Sequence, residues 1–261
     1  MWTTVVTPTD DDDHATFCVR YNGALTSPLG TLDTSIAHVL FFETHVIKQF
    51  IPEYSHHEYY KELRILKHLA EHPVLKPLFC NATVVPTLAI CMERYDGDLS
   101  AFIQTSLGQR MVPVVLEKLK IMCATGLLYT DIKPQNVIYK KNTAAPLPDI
   151  AFCDFSAACL EGDEWSCQTF PYPGERAGLL FHKADYDNTI SPANETTVVW
   201  NFGIFWMTMI GYQSIAYDYL CYTVLTQRSL RAFKRLKLPL PPGLKRILHQ
   251  ETTRLCDVAV A

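Results

Sequence analysis

Nine cysteines are scattered through this 261-residue chain, yet no two form a C-x-x-C pair and none make doublets at zinc-ligand spacing. The count is odd, so no disulfide framework is implied. The thiols read as reduced and buried, as in a cytosolic or nuclear protein. Glycine is also scarce, 11 residues with no G-x-G anywhere. Basic charge is not in excess: 23 Lys and Arg against 27 Asp and Glu leave a net charge of −4, which argues against nucleic acid as a general partner. Long apolar runs are missing too. The most apolar stretch, Val198 to Tyr212, falls short of the roughly 20 residues that span a bilayer, so it reads as a buried core helix and no membrane partner is expected. The chain opens Met1-Trp2-Thr3-Thr4 and soon runs into Asp10–Asp13, which is not a secretory signal. The sequons Asn81-Ala82-Thr83 and Asn194-Glu195-Thr196 therefore carry no expectation of glycosylation.

What is present describes a globular chain with ample core, 48% hydrophobic and 19% charged. Its length suits one large domain or a two-lobed one. Residues 1–14 are polar and acidic and read as disordered. Short β-type runs follow at Thr16 to Tyr21, Ile36 to Phe42 and His45 to Phe50. Asn22-Gly23 is a hairpin turn signal, and Glu43-Thr44 suits a second tight connection. A helix is expected from Ser55, where Ser55-x-x-Glu58 has capping-box spacing, to about His72-Pro73. Within it Glu62 shares a stripe with Ile65, Leu66 and Leu69. An acid on a core-facing stripe needs a cation, and Lys48 on the strand-like segment His45 to Lys48 is the natural candidate. The plainer alternatives are an edge-strand lysine in water and an exposed helix acid. A β run from Thr87 to Met92 leads into Glu93-Arg94-Tyr95-Asp96-Gly97, and a helix from Val114 to Leu127 follows with Pro113 in its first turn.

Residues 129 to 136 read Tyr-Thr-Asp-Ile-Lys-Pro-Gln-Asn, and Asp154-Phe155-Ser156 follows the apolar stretch Ile150 to Cys153. An acid, a lysine two residues on and an amide five residues on make one loop; a second acid comes after a strand. Such a set suits a triphosphate and its metal, with one carboxylate to orient an attacking hydroxyl. Pro and Asn are also ordinary turn formers, so the loop could be mere punctuation.

The two motifs together resemble the eukaryotic-type protein kinase superfamily, whose catalytic loop runs H-R-D-L-K-P-x-N and whose metal loop is D-F-G. Asp131, Lys133, Pro134 and Asn136 match, with Ile132 for Leu; Tyr129 and Thr130 replace the His and Arg, and Ser156 the Gly. In its brevity and reduced lid the chain looks like the short, divergent kinases of large DNA viruses. The resemblance implies an α+β, bilobal fold: a small β-rich N-lobe with one main helix over residues 15–95, and a mostly helical, abbreviated C-lobe over 96–261. It implies a serine/threonine protein kinase that uses ATP and Mg²⁺ on protein substrates. Its location would be cytoplasmic or nuclear, in a host cell if the chain is viral.

The roles the resemblance carries are these. Asp131 would be the base, with Lys133 on the γ-phosphate. Asn136 and Asp154 would ligate the metal, and Lys48, held by Glu62, would fix the α- and β-phosphates. Glu93 to Tyr95 would present backbone groups to adenine, with Met92 behind them. Gly30, the only glycine near the expected lid, would lie over the phosphates within Thr26 to Thr31. Thr169-Phe170-Pro171-Tyr172-Pro173-Gly174-Glu175 looks like the end of an activation segment. Val198 to Ile204 resembles the central buried helix, but Val198 stands where the family has the Asp that anchors the catalytic loop. Without the loop Arg, activity is expected not to depend on phosphorylation of that segment. Seven basic residues and no acid lie between Leu220 and Gln250, a docking surface or nuclear address, or simply a solvated helix face. The reduced lid and Ser156 keep a second reading open, a pseudokinase acting as a scaffold or regulatory module. A small-molecule phosphotransferase of the same fold is disfavoured by Lys133-Pro134.

Overall fold

A computed structural model describes residues 2–6, 17–21, 24–34, 36–75, 82–85, 88–161, 194–216, 237–249 and 251–260. The described residues form a mixed α/β structure with antiparallel sheets. The chain divides into two units, Met1–His72 with Phe79–Tyr95, and Pro73–Leu78 with Asp96–Ala261.

In the first unit, β1 (Trp2–Val6), β2 (Phe17–Tyr21) and β3 (Ala24–Thr26) make a small antiparallel sheet. Residues 1–14 are thus not uniformly without structure, as the acidic run had implied. Trp2-Thr3-Thr4-Val5-Val6 is aromatic and β-branched, the composition of a strand, and it pairs with β2 from Trp2–Tyr21 to Val6–Phe17. Asn22-Gly23 lies outside the described residues, but β2 and β3 pair antiparallel with Tyr21 opposite Ala24.

The main sheet has the order β4-β5-β6-β8-β7, built from β4 (Gly30–Asp33), β5 (Ala37–Phe41), β6 (His45–Phe50), β7 (Ala82–Val85) and β8 (Ala89–Glu93). The Glu43-Thr44 connection is tight, as its sequence suggested, with the Phe42 amide donating to the His45 carbonyl at 2.9 Å. The two-residue period sorts the faces. Leu40, Ile47 and Cys91 fall in line on one face and join Phe42 and Ala89 in a buried cluster. Ala37, Phe50 and Ile90 lie on the other, with Tyr59, Leu63 and Leu66 of helix α1 (Pro52–Glu71) packed over them. Lys48 pairs with Val39 and Ile90 and so belongs to the face that carries α1.

Helix α1 starts three residues before the expected Ser55. Pro52 sits at its first positions, where the fixed φ suits a helix and the missing N–H is no loss, and Ile51 caps it without a side-chain bond. It stops at Glu71, ahead of Pro73.

The second unit holds α2 (Ser106–Ala124), which begins well before the expected Val114. The Oγ of Thr105 accepts from the Gly108 amide at 3.0 Å and provides the start signal, leaving Pro113 inside the helix. Beyond α2, two ladders set up the site. β11 (Val137–Lys140) pairs with β12 (Asp149–Phe152) and with β9 (Gly97–Asp98). β10 (Leu127–Leu128) pairs with β13 (Cys159–Leu160). The loop 129–136 therefore leaves β10 and enters β11, while the loop 153–158 leaves β12 and enters β13. The same two ladders close both loops and bring them side by side.

Helix α3 (Glu195–Met209) is the expected core helix, buried on nearly all sides. Asn194, half of one sequon, is its N-cap and forms a capping box with Thr197. Short helices α4 (Gln213–Ala216) and α5 (Pro242–Leu248) follow. Gly203 lets α5 come close, since a Cβ there would lie 2.7 Å from Ile247 Cγ2. No described helix is long and apolar enough to cross a membrane. The thiols are not all buried: Cys91 and Cys159 are, whereas Cys256 is exposed.

Candidate functional site

In the first unit, the expected lysine–glutamate pair is present. Lys48 Nζ donates to Glu62 Oε2 at 2.8 Å, with the residues 6% and 1% exposed. The lysine also lies 5.0 Å from the centroid of the Phe50 ring, on the same face two residues on. Neither charge could be held at such burial without a partner. Glu93, at the end of β8, and Tyr95 are both half-buried, and the Arg94 amide between them donates to the Thr44 carbonyl at 3.0 Å.

Gly30, expected over the phosphates, lies in a strand and not in a turn. Gly30 stands in β4 opposite Phe41, exposed, and a Cβ added there would meet nothing within 4 Å. The turn of the hairpin that runs into β6 is Thr34 to Ile36, with no glycine, and it closes on its own side chains. Thr34 Oγ1 accepts from the Ala37 amide at 3.0 Å and donates to the Ala37 carbonyl at 2.8 Å. The Thr34 amide donates to that same carbonyl at 2.9 Å, and Asp33 and His38 pair across the strands at 2.7 Å.

In the second unit, Asp131, Lys133 and Asn136 converge. Asp131 Oδ2 accepts from Lys133 Nζ at 2.7 Å and from Asn136 Nδ2 at 2.7 Å. The same Nδ2 reaches the Asp131 carbonyl at 3.0 Å, so the amide is held edge-on and its Oδ1 points away from the acid. Pro134 opens a short 3₁₀ turn that swings Asn136 back over the loop. Asp131 is 6% exposed. Burial pushes its carboxyl up from the ordinary range, the Lys133 ammonium opposes that push, and the Asp154 charge adds to it.

Asp154 has a left-handed φ of 59°, which Asp tolerates better than most non-glycine residues. Ser156, in the family's glycine position, bonds it directly: Ser156 Oγ donates to Asp154 Oδ1 at 2.7 Å. Asn136 Oδ1 and the Asp154 carboxylate are hard oxygen donors. Among the described residues no three His, Cys, Asp or Glu side chains cluster as a metal cage. A donor set of one amide and one carboxylate fits Mg²⁺, which keeps waters and takes its remaining ligands from phosphates.

Three residues with no holding role expected from the sequence, Tyr129, Thr130 and Asn201, tie these loops in place. Tyr129, fully buried, donates its hydroxyl to the carbonyls of Cys153 and Asp154 and stacks edge-on with Phe152 and Phe155. Thr130 Oγ1 donates to the Ala157 carbonyl at 2.6 Å. Asn201 Nδ2, from α3, donates to the Thr130 carbonyl at 2.8 Å. Val198 had read as a lost anchor, yet Asn201 stands about one helical turn further along and reaches the loop 129–136 itself. A signal was there: an Asn inside the apolar run Val198 to Ile204 must find a partner if buried. Thr169 to Glu175 lies outside the described residues.

No family model matches the chain. It is 22% identical over 156 residues, 58% of its length and 40% of the relative's, to the mitogen-activated protein kinase HOG1A of Wallemia ichthyophaga. It is 25% identical over 111 residues, 40% of its length and 9% of the relative's, to the serine/threonine-protein kinase dkf-2 of Caenorhabditis briggsae. The chain thus spans well under half the length of either protein. These distant similarities, together with the loop geometry, support a protein kinase-like chain.

Proposed function

We propose that the chain is a serine/threonine protein kinase that moves the γ-phosphoryl group of ATP onto protein hydroxyls. The observation that carries this reading is the buried Asp131 carboxylate, tied at Oδ2 to both Lys133 and Asn136. Asp131 orients the substrate hydroxyl and takes its proton as the oxygen attacks. Lys133 exchanges its contact with Asp131 for the γ-phosphate, where its charge offsets the negative charge of the transferring group. Lys48, fixed by Glu62, meets the α- and β-phosphates. Backbone groups around Glu93 to Tyr95 hold the adenine. Asn136 and Asp154 would hold Mg²⁺, which would supply positive charge to offset that of the phosphates.

The test is radiolabelled transfer from ATP and Mg²⁺ to a generic protein substrate, run beside Asp131→Asn. Loss of a general base costs about 10²- to 10⁴-fold. A native signal reduced to background in the mutant is the expected result. Equal signals in the two proteins would rule out Asp131 as the base.

A second reading, a pseudokinase serving as a binding or regulatory module, draws on the glycine-free turn at Thr34 to Ile36. There the Thr34 and Ala37 amides are already engaged within the hairpin. Absence of transfer under varied metals and substrates, with nucleotide binding also absent, would favour it.

A further inference from the structure

Thr130 is a junction between three parts of the second unit. Its hydroxyl donates to the Ala157 carbonyl at 2.6 Å, beyond the metal loop. Its own carbonyl accepts two bonds, from Asn201 Nδ2 at 2.8 Å and from the Ile132 amide at 3.0 Å. Two donors on one carbonyl fix the plane of the peptide that joins Thr130 to Asp131. That plane sets the direction in which the Asp131 side chain leaves the backbone. Thr130 and Asn201 are 3% and 4% exposed, so water offers no easy substitute for these bonds.

Asn201 is costly at its position. Its Oδ1 is buried with no hydrogen-bond partner among the described residues, which an apolar residue of similar size such as Leu would avoid. Packing alone therefore does not account for the amide; the bond from Nδ2 to Thr130 does. We infer that Thr130 and Asn201 form a brace of positioning residues that aims Asp131 and ties it to the segment after Asp154. The inference rests on the reading of Asp131 as the base. The brace uses only the two loops and α3, and it places an uncharged Thr where the family has its Arg. The departures at Thr130 and Asn201 then form a compensated set, not erosion. Restoring Arg at 130 alone would remove the bond to Ala157 and lower activity.

Thr130→Val, Thr130→Ser and Asn201→Leu test this through three readouts: amide exchange at Ile132, the separate values of kcat and KM for ATP, and equilibrium unfolding. One lost buried hydrogen bond corresponds to about tenfold. Thr130→Val and Asn201→Leu should each speed exchange at Ile132 and lower kcat by about that factor, with KM unchanged. Thr130→Ser should stay near native, since it keeps the hydroxyl. Asn201→Leu should unfold at the same or higher denaturant, because its orphan oxygen is gone. If Asn201→Leu does not fold, the Thr130 pair decides alone. The brace is overturned if Val and Ser at 130 behave alike, or if exchange and kcat stay native in Thr130→Val and Asn201→Leu. A native chain that transfers no phosphate would sink the kinase reading, and the exchange comparison would still decide the brace.

Discussion

The hairpin turn at Thr34 to Ile36 and the loop from Tyr129 to Asn136 both bond backbone through their side chains, one within itself and the other outward. In the turn, side chains replace glycines and occupy the local backbone: Thr34 alone makes bonds to both the amide and the carbonyl of Ala37. Backbone donors turned inward on a hairpin cannot also approach a phosphate. In the loop, new side chains also bond backbone, but they bond the neighbouring segments. Tyr129 reaches Cys153 and Asp154, Thr130 reaches Ala157, and Asn201 reaches Thr130. The charged set Asp131, Lys133 and Asn136 keeps its geometry inside that frame. Side chains that satisfy a segment internally leave it self-contained, whereas side chains that bond its neighbours hold separate segments together.

The largest effect should come from the buried pair in the first unit. Lys48→Ala would take from Glu62, 1% exposed, the ammonium that bonds its Oε2 at 2.8 Å. Breaking such a pair from one side costs about 3–5 kcal/mol, read from urea unfolding. Replacing both partners, Lys48→Met with Glu62→Leu, should recover most of that stability while abolishing any nucleotide contact by the lysine. A single mutant of native stability would show that the pair is solvated and that the sequence-level argument from the helix stripe was misplaced.

The loop offers a pH test. Asp131 must be ionised to take a proton, and burial holds its carboxyl above the ordinary range, against the pull of Lys133. Activity should therefore fall as pH drops, with an acid limb above that of an unperturbed Asp and a slope near tenfold per pH unit. The stability linkage has the opposite sign. A raised native pKa means the folded state holds the proton more tightly than the unfolded one. The group's contribution to stability is therefore largest at low pH and is lost as pH rises through the raised pKa. Lys133→Met should move the acid limb further up, because it removes the charge that favours the carboxylate. A limb that stays put would mean that Lys133 does not act on Asp131.

Much of this arrangement was legible because chemistry and period constrain it together. Glu62 on an apolar stripe pointed to Lys48, and the two-residue alternation of β6 places that lysine on the face bearing α1. The spacing of Asp131, Lys133 and Asn136 was readable as a loop, and the strand pair around it followed from its apolar runs. Other features were hidden for identifiable reasons. Glycine is the usual marker of a tight turn, and the turn closed by Thr34 carries no such marker. The start of α2 was missed because Pro113 looks like a first-turn residue, while Thr105, the actual cap, is an unremarkable Thr in sequence. Asn201 carries no motif signal of its own, because the position that the resemblance marks is Val198; only the need of a buried amide for a partner points to it.

The smallest expected effect sharpens the contrast from the turn. Thr34→Gly removes the hydroxyl that binds both groups of Ala37 and restores a residue that can turn its amide outward. If internal satisfaction is what weakens the lid, the mutant should bind ATP and Mg²⁺ more tightly. One recovered backbone contact is worth about 1 kcal/mol, or roughly fivefold, by calorimetric titration. The gain should appear in nucleotide affinity and leave kcat unchanged, since the substitution alters neither Lys133 nor Asn136, which bond Asp131. Some stability should be lost, because glycine gives up more backbone freedom on folding and the hairpin loses its closing bonds. Unchanged or weaker binding would mean that the turn plays no part in holding phosphate, and Lys48 would then carry the first unit's share of nucleotide recognition without a lid.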